Sequence, residues 1–306
     1  MTNLKICIVG PGIVGQATGK AFLAKGFEIT FVGVDPKNIT DLRHEGYNAN
    51  LVNEVFNGNY NFDVTFLTVP TPTLDGKIDI SALKDASINL GKNLAHSDKY
   101  HLVVVKSTVL PGTTENMVIK YIEKYSKKRA GPDFGVCMNP EYLREKTADE
   151  DALNPWLILI GEYDKKSGYI LSEIYRDFDG PIYRVSITEA EIQKYIHNLF
   201  NATKITFFNE MRQIGQKMGI NIEKVFNLTS LSAEGVWNHT YGIKDKGPFS
   251  GKCLPKDTQA FFSWAEENGF DAKLLKSVIE VNEKIKTKKF FSHQAKSEHE
   301  RSHLPL

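Results

Sequence analysis

At 306 residues the chain is long enough for about two domains. Hydrophobic content of 41% and charged content of 25% are ordinary for a globular protein, and 38 basic against 37 acidic residues leave a net charge of +1, excluding a global field for nucleic acid or an anionic membrane. No apolar stretch approaches the ~20 residues of a membrane span, and Met1-Thr2-Asn3-Leu4-Lys5 lacks the layout of a secretory leader, so a cytoplasmic protein is expected.

Residues 4–9 predict a strand buried on both faces, as in parallel sheets. Gly10-Pro11-Gly12-Ile13-Val14-Gly15 follows, then a helix over 16–25 and a second strand over 27–34 that ends at Asp35. A glycine-rich turn alone is a weak signal. Here a strand precedes it, a helix follows, and an acid closes the next strand about 20 residues on. Glycines let the backbone approach a pyrophosphate seated on the helix N-terminus, through Gly10, Gly12, Ile13, Val14 and Gly15. Asp35 would bond ribose hydroxyls and favour NAD over NADP.

A strand over 62–69 ends at Pro70-Thr71-Pro72-Thr73, a stiff turn placed where ligands lie in open α/β sheets. After a helix over 80–94, the strand 101–105 runs into Lys106-Ser107-Thr108, with Pro111 expected to open a helix. Thr108 could cap that helix or face the cofactor and substrate. The strand 133–138 leads to Asn139-Pro140-Glu141-Tyr142-Leu143-Arg144-Glu145. One helical turn there would stack Glu141 and Glu145 on a face, a like-charge pair suited to acid/base work. A strand at 156–160, a helix at 164–178 and a strand at 181–185 complete a first domain, 1–185.

From Ser186 no breaker appears before Gly215 and Gly219, so one helix of about 30 residues is expected, bridging domains or carrying an oligomer interface. Lys194 and Asn198 share a face on it: either a solvated stripe, or an oxyanion-stabilising lysine beside an amide that fixes water. A small helix at 222–230, an irregular stretch over 234–246, and helices at 255–268 and 271–289 make a helical second domain, 186–291. Residues 292–306 are polar and expected to be disordered.

Of three cysteines, Cys7 and Cys137 read as strand residues, and no spacing suggests a metal site. Cys253 alone sits in a polar loop, Gly247-Pro248-Phe249-Ser250-Gly251-Lys252-Cys253-Leu254-Pro255-Lys256-Asp257, just before a predicted helix start. A nearby ammonium or helix N-terminus favours thiolate, the nucleophilic form. The architecture expected is α/β: a Rossmann-type doubly wound parallel sheet, a long central helix and a small all-α domain.

Taken together, the Gly10-to-Gly15 turn with Asp35, the Lys106-Ser107-Thr108-Val109 segment, Asn139 to Glu145, and Cys253-Leu254-Pro255-Lys256-Asp257 resemble the UDP-glucose/GDP-mannose dehydrogenase family. The resemblance spans about residues 4–287. It implies NAD-dependent oxidation of a nucleotide sugar's C6 alcohol to the carboxylate, UDP-glucose to UDP-glucuronate first among them, as a step towards polysaccharide. Cys253 would be the nucleophile, passing through a thiohemiacetal and a thioester, with Lys194 on the oxyanion. Asp257 and Asn198 would position water, held by Thr108, and Glu145 would serve thioester hydrolysis, with Glu141 a further acid or base. Pro70, Thr71, Thr108, Glu145 and Lys256 would join the cofactor site. Glu141, Tyr142, Leu143, Arg144, Lys194, Asn198, Phe249 and Gly251 would line the sugar nucleotide. The long helix would carry a homodimer. The chain stops where family members continue into a nucleotide-binding domain, residues 234–251 hold no arginine, and Ser250 stands in a usual Gly-Gly pair. Two rivals remain open: a two-electron hydroxyacid dehydrogenase using a helix lysine and no thiol, and a non-catalytic NAD-binding homologue.

Overall fold

The computed structural model describes residues 4–56, 60–243 and 247–301, with side chains as far as residue 287. In chain order come β1 (Lys5–Val9), α1 (Ile13–Ala24), β2 (Glu28–Gly33), α2 (Pro36–His44), β3 (Ala49–Leu51), α3 (Val52–Val55), β4 (Val64–Leu67), the hairpin β5 (Thr73–Leu74) and β6 (Lys77–Ile78), and α4 (Ser81–Leu94). Then follow β7 (His101–Val105), a π-helical turn (Thr114–Ile119) leading into α5 (Lys120–Ser126), β8 (Phe134–Met138), a 3-10 turn (Glu145–Thr147), α6 (Ala148–Leu153), β9 (Ile158–Glu162), α7 (Lys165–Ile174) and β10 (Ile182–Ser186). The helices α8 (Ile187–Lys217), α9 (Ile222–Ser232), α10 (Glu234–Trp237), α11 (Leu254–Glu267) and α12 (Lys273–Arg301) complete it. The chain divides into two compact units, Met1–Asn198 and Leu199–Leu306.

In the first unit eight strands form one sheet in the order β10-β9-β8-β7-β4-β1-β2-β3. Strand β1 lies between β2 and β4, both parallel to it, and its alternate residues feed two cores: Ile6 and Ile8 on one face, Cys7 and Val9 on the other. Both faces are covered, which is why the strand reads as an unbroken apolar run. The expected α/β class and parallel sheet are present. One detail differs: β9 runs antiparallel to β8, and β10 is parallel to β9. The connection after β8 stays at that strand's carboxyl end, where α6 packs on α1, instead of crossing back. The next strand therefore enters from the end at which β8 left.

The turn after β1 requires glycine at two places. Gly10 has φ +96° and a Cβ there would meet the Val69 backbone at 2.8 Å; at Gly15 a Cβ would meet the Gly10 carbonyl oxygen at 2.5 Å. The first lets the chain turn, and the second lets α1 lie close on the sheet.

Helix α8 starts as its sequence predicts. The Ser186 N–H donates to Glu189 Oε2 at 2.7 Å and the Glu189 N–H donates back to Ser186 Oγ at 3.3 Å, a reciprocal cap. It ends before Gly219, at φ +69°. Gly215 does not break it, because Ile222 lies 2.7 Å from where a Cβ would stand and only hydrogen fits. The second unit packs Ile214, Ala265 and Ala272 with Phe262, Trp264 and Phe270. Of the expected irregular stretch, 234–237 is the short α10 and 244–246 lie outside the described residues. Helix α12 continues to Arg301, past the expected limit at 289 and into the stretch expected to be disordered; 302–306 lie outside the described residues. No glycine or proline occurs in 273–301, so backbone propensity allows the extension.

Candidate active site

The sheet's carboxyl edge opens into a cleft of ≈ 810 Å³ lined by the Gly10–Val14 turn, Asp35, Pro70, Thr71, Thr108 and Glu141. Gly12 is the N-cap of α1, has no side-chain cap, and has nothing within 4 Å of a built Cβ. The first turn of α1, which lacks a side-chain cap, borders the cleft through Ile13 and Val14, as an anion-binding helix end should. Asp35 caps α2 by accepting from the Lys37 N–H at 2.9 Å, and its carboxylate borders the same cleft. These residues fit a dinucleotide. Thr68 Oγ1 donates to the Gly10 carbonyl at 2.8 Å, and Thr71 Oγ1 donates to the Thr108 carbonyl at 2.7 Å, tying the three strand-end turns together.

Lys194, on the third turn of α8, is not part of a solvated stripe. It is 4% exposed, and its Nζ donates to the Glu141 carboxylate at 2.9 Å and the Glu141 carbonyl at 2.6 Å. The two candidates are therefore one ion pair, joined across 53 positions of sequence. Asn198, one turn along, is exposed. The stacked pair of carboxylates does not form. Residues 139–144 are an extended loop, in which Glu141 Oε2 accepts from the Leu143 N–H at 2.7 Å. Glu145 opens the following 3-10 turn and shares a groove with Ile13, Gln16 and Lys20 of α1. The Lys194 ion pair overrides the helical spacing.

Tyr142 packs its ring on His197 at 5.1 Å and donates its hydroxyl to Gln193, while burial raises its pKa. Arg144 forks onto a nearby carboxylate while its side chain stays largely exposed. Its Nε and one terminal nitrogen bind Asp151 at 3.0 and 2.6 Å, and its guanidinium lies 5.1 Å from the Trp156 ring centre. That fork holds the Asp151 carboxyl well below the usual range.

In the second unit Cys253 is exposed, whereas Cys7 and Cys137 are fully buried. Burial pushes the Cys7 thiol up to about 12 and raises that of Cys137. Cys253 is the N-cap residue of α11, with Pro255 in the first turn, and its carbonyl accepts from the Asp257 N–H at 2.8 Å. Lys256 and Asp257, both exposed, pair with each other. Gly251, at φ +89°, turns the loop with nothing within 4 Å of a built Cβ, and Phe249 lies two residues before it.

The NAD-binding-domain model of the UDP-glucose/GDP-mannose dehydrogenase family matches residues 4–179, and the central-domain model of that family matches 188–284. The chain belongs to this family. It is 34% identical to UDP-glucose 6-dehydrogenase of Haloferax volcanii over 92% of this chain and 70% of that protein. It is 35% identical to GDP-mannose 6-dehydrogenase of Pseudomonas putida over 92% of this chain and 68% of that one. A crystal structure of GDP-mannose dehydrogenase from Pseudomonas aeruginosa superposes with a TM-score of 0.88 at 33% identity, over 95% of this chain and 71% of that one. The family is one of NAD-dependent nucleotide-sugar 6-dehydrogenases, and NAD is the cofactor of the domain matched over 4–179.

Three residues of this family member escaped the sequence reading. Glu191 lies near the start of α8. It is fully buried and accepts from the Gly112 and Thr114 N–H groups, so it pins the far end of the Thr108 loop; burial raises its pKa. Lys106, at the carboxyl end of β7, borders the cleft and donates to Asn139 Oδ1 at 2.8 Å and Tyr175 Oη at 3.4 Å. Burial lowers its pKa to about 8. Asn282, on α12, bonds the Phe249 peptide. A polar residue in a largely apolar helical stripe was the available signal for Asn282.

Proposed function

We propose that the chain oxidises the C6 alcohol of a nucleotide sugar, UDP-glucose in the first reading, to the carboxylate through a thioester on Cys253. The observation that carries this is the single exposed thiol among three, at the N-cap of α11 within the matched central domain. NAD supplies a hydride acceptor for each of two oxidations. Between them Cys253 Sγ bonds to the C6 aldehyde carbon, and the carbonyl electron pair moves to oxygen, where Lys194 stabilises it. Loss of the second hydride leaves the thioester. Water then adds to it, the C–S bond breaks, and the thiolate leaves with the sugar acid released. Asp257 and Asn198 orient that water, Thr108 holds it, and Glu145 takes its proton, with Glu141, bonded to Lys194, a further acid or base. Tyr142, Leu143, Arg144, Phe249 and Gly251 contact the sugar nucleotide, and Lys256 the cofactor.

GDP-mannose is the second reading, favoured by the TM-score of 0.88 to a GDP-mannose dehydrogenase. Exposed apolar residues along α8, among them Leu199, Phe200 and Ile205, suit burial against a second copy, so a homodimer is proposed. The test is NADH formation at 340 nm across UDP-glucose, GDP-mannose and UDP-N-acetylhexosamines. Two NADH per sugar with one of them supports the reading. One NADH per sugar supports a two-electron dehydrogenase, and none with any sugar supports a non-catalytic homologue.

A further inference from the structure

The nucleophile loop has a tether outside its own sequence. Asn282 lies on α12 and is 6% exposed. The Phe249 N–H donates to its Oδ1 at 2.8 Å, and its Nδ2 donates to the Phe249 carbonyl at 3.1 Å. One carboxamide therefore satisfies both polar groups of a single residue, as a neighbouring strand would. Two bonds to one residue fix orientation as well as distance.

The position on the helix argues that the amide is there for the loop. Val278 and Ile285 stand four before and three after it, on the same stripe of α12, where an apolar residue would serve packing as well. A buried amide is costly unless its hydrogen bonds are made, and both bonds shown for it go to Phe249. The loop needs such a hold. Gly247 and Gly251 both have positive φ, at +81° and +89°, and residues 250–253 are exposed. Downstream, Cys253 begins α11, which packs on α12. The stretch 249–253 is thus tied to α12 at Phe249 and runs into α11 at Cys253.

We propose that Asn282 is a positioning residue for Cys253, its two bonds to Phe249 setting where the thiol enters α11; this rests on the reading of Cys253 as nucleophile. The test compares Asn282→Leu, which removes both bonds, with Asn282→Asp, which keeps the acceptor for the Phe249 N–H. In the full-length chain, the rate of Cys253 alkylation by iodoacetamide is followed by peptide mapping, together with kcat and the KM for NAD. For N282L we expect an alkylation rate changed about tenfold and a kcat lowered about tenfold, with the KM for NAD unchanged and N282D in between. Wild-type alkylation and kcat in a folded N282L would overturn the proposal. Unfolding of both variants would overturn it too, since the amide would then serve the fold. If the wild-type chain forms no NADH with any sugar, the functional reading fails, while the alkylation comparison still judges the tether.

Discussion

The candidate residues of the first unit and those of the second are held in opposite ways. Lys194 and Glu141 are buried against each other, Glu191 grips two backbone amides, and Lys106 rests on Asn139 and Tyr175. Around Cys253 the side chains are exposed, Lys256 is taken by Asp257, and order comes from the helix start and from Asn282. In the proposed reaction, charge would be preorganised where hydride leaves the sugar, and the thiol left accessible where covalent bonds form and break. The same kind of substitution should therefore cost stability in the first unit and only activity in the second.

The sharpest way to break that contrast is Lys194→Ala. It strands a half-buried carboxylate, and about 3 kcal/mol of folding stability should go with the activity, read by denaturant titration. An unchanged midpoint would mean that the pair is not the first unit's organising charge. Acid should separate the units next. His101 is buried, with Nδ1 2.9 Å from the Phe62 carbonyl and Nε2 2.8 Å from Thr65 Oγ1, and burial lowers its pKa from 6.5 to about 4. Below pH 6.5 the unfolded chain takes up a proton that the native histidine refuses. Stability is thus complete above 6.5 and falls by about 3 kcal/mol as pH drops to about 4. Thermal melts of wild type and His101→Gln across this range should diverge, the variant losing the slope that His101 contributes. Smaller is Glu191→Gln, which leaves one of the two loop amides facing an NH₂ group; about 1–2 kcal/mol should be lost, read by the same titration. Smallest is Lys256→Met. Because Lys256 pairs with Asp257 in solvent, its loss should leave the melting temperature unmoved and change Cys253 alkylation by no more than about twofold.

Much of the first unit could be read from the chain because its periods are local. The apolar run before Gly10, the acid at Asp35 and the uninterrupted stretch after Ser186 each report a nearby physical need. The direction of β9 left no such trace, since an antiparallel strand buried on both faces reads like a parallel one. The spacing of Glu141 and Glu145 was misleading for a related reason. Four-residue spacing predicts a shared face only if a helix forms, and the ion pair to Lys194 holds the loop extended. Cys253 was found by exclusion of two strand cysteines, which are indeed buried. The fork from Arg144 to Asp151, seven positions on, left no sign in the sequence.

The thioester at Cys253 is the central claim, and the most direct measurement is the NADH-to-sugar stoichiometry of Cys253→Ala beside wild type. The account predicts two NADH per nucleotide sugar for wild type and at most one for the variant, with an aldehyde in place of the acid and an unchanged melting temperature. Two NADH per sugar from Cys253→Ala at the wild-type rate would contradict it.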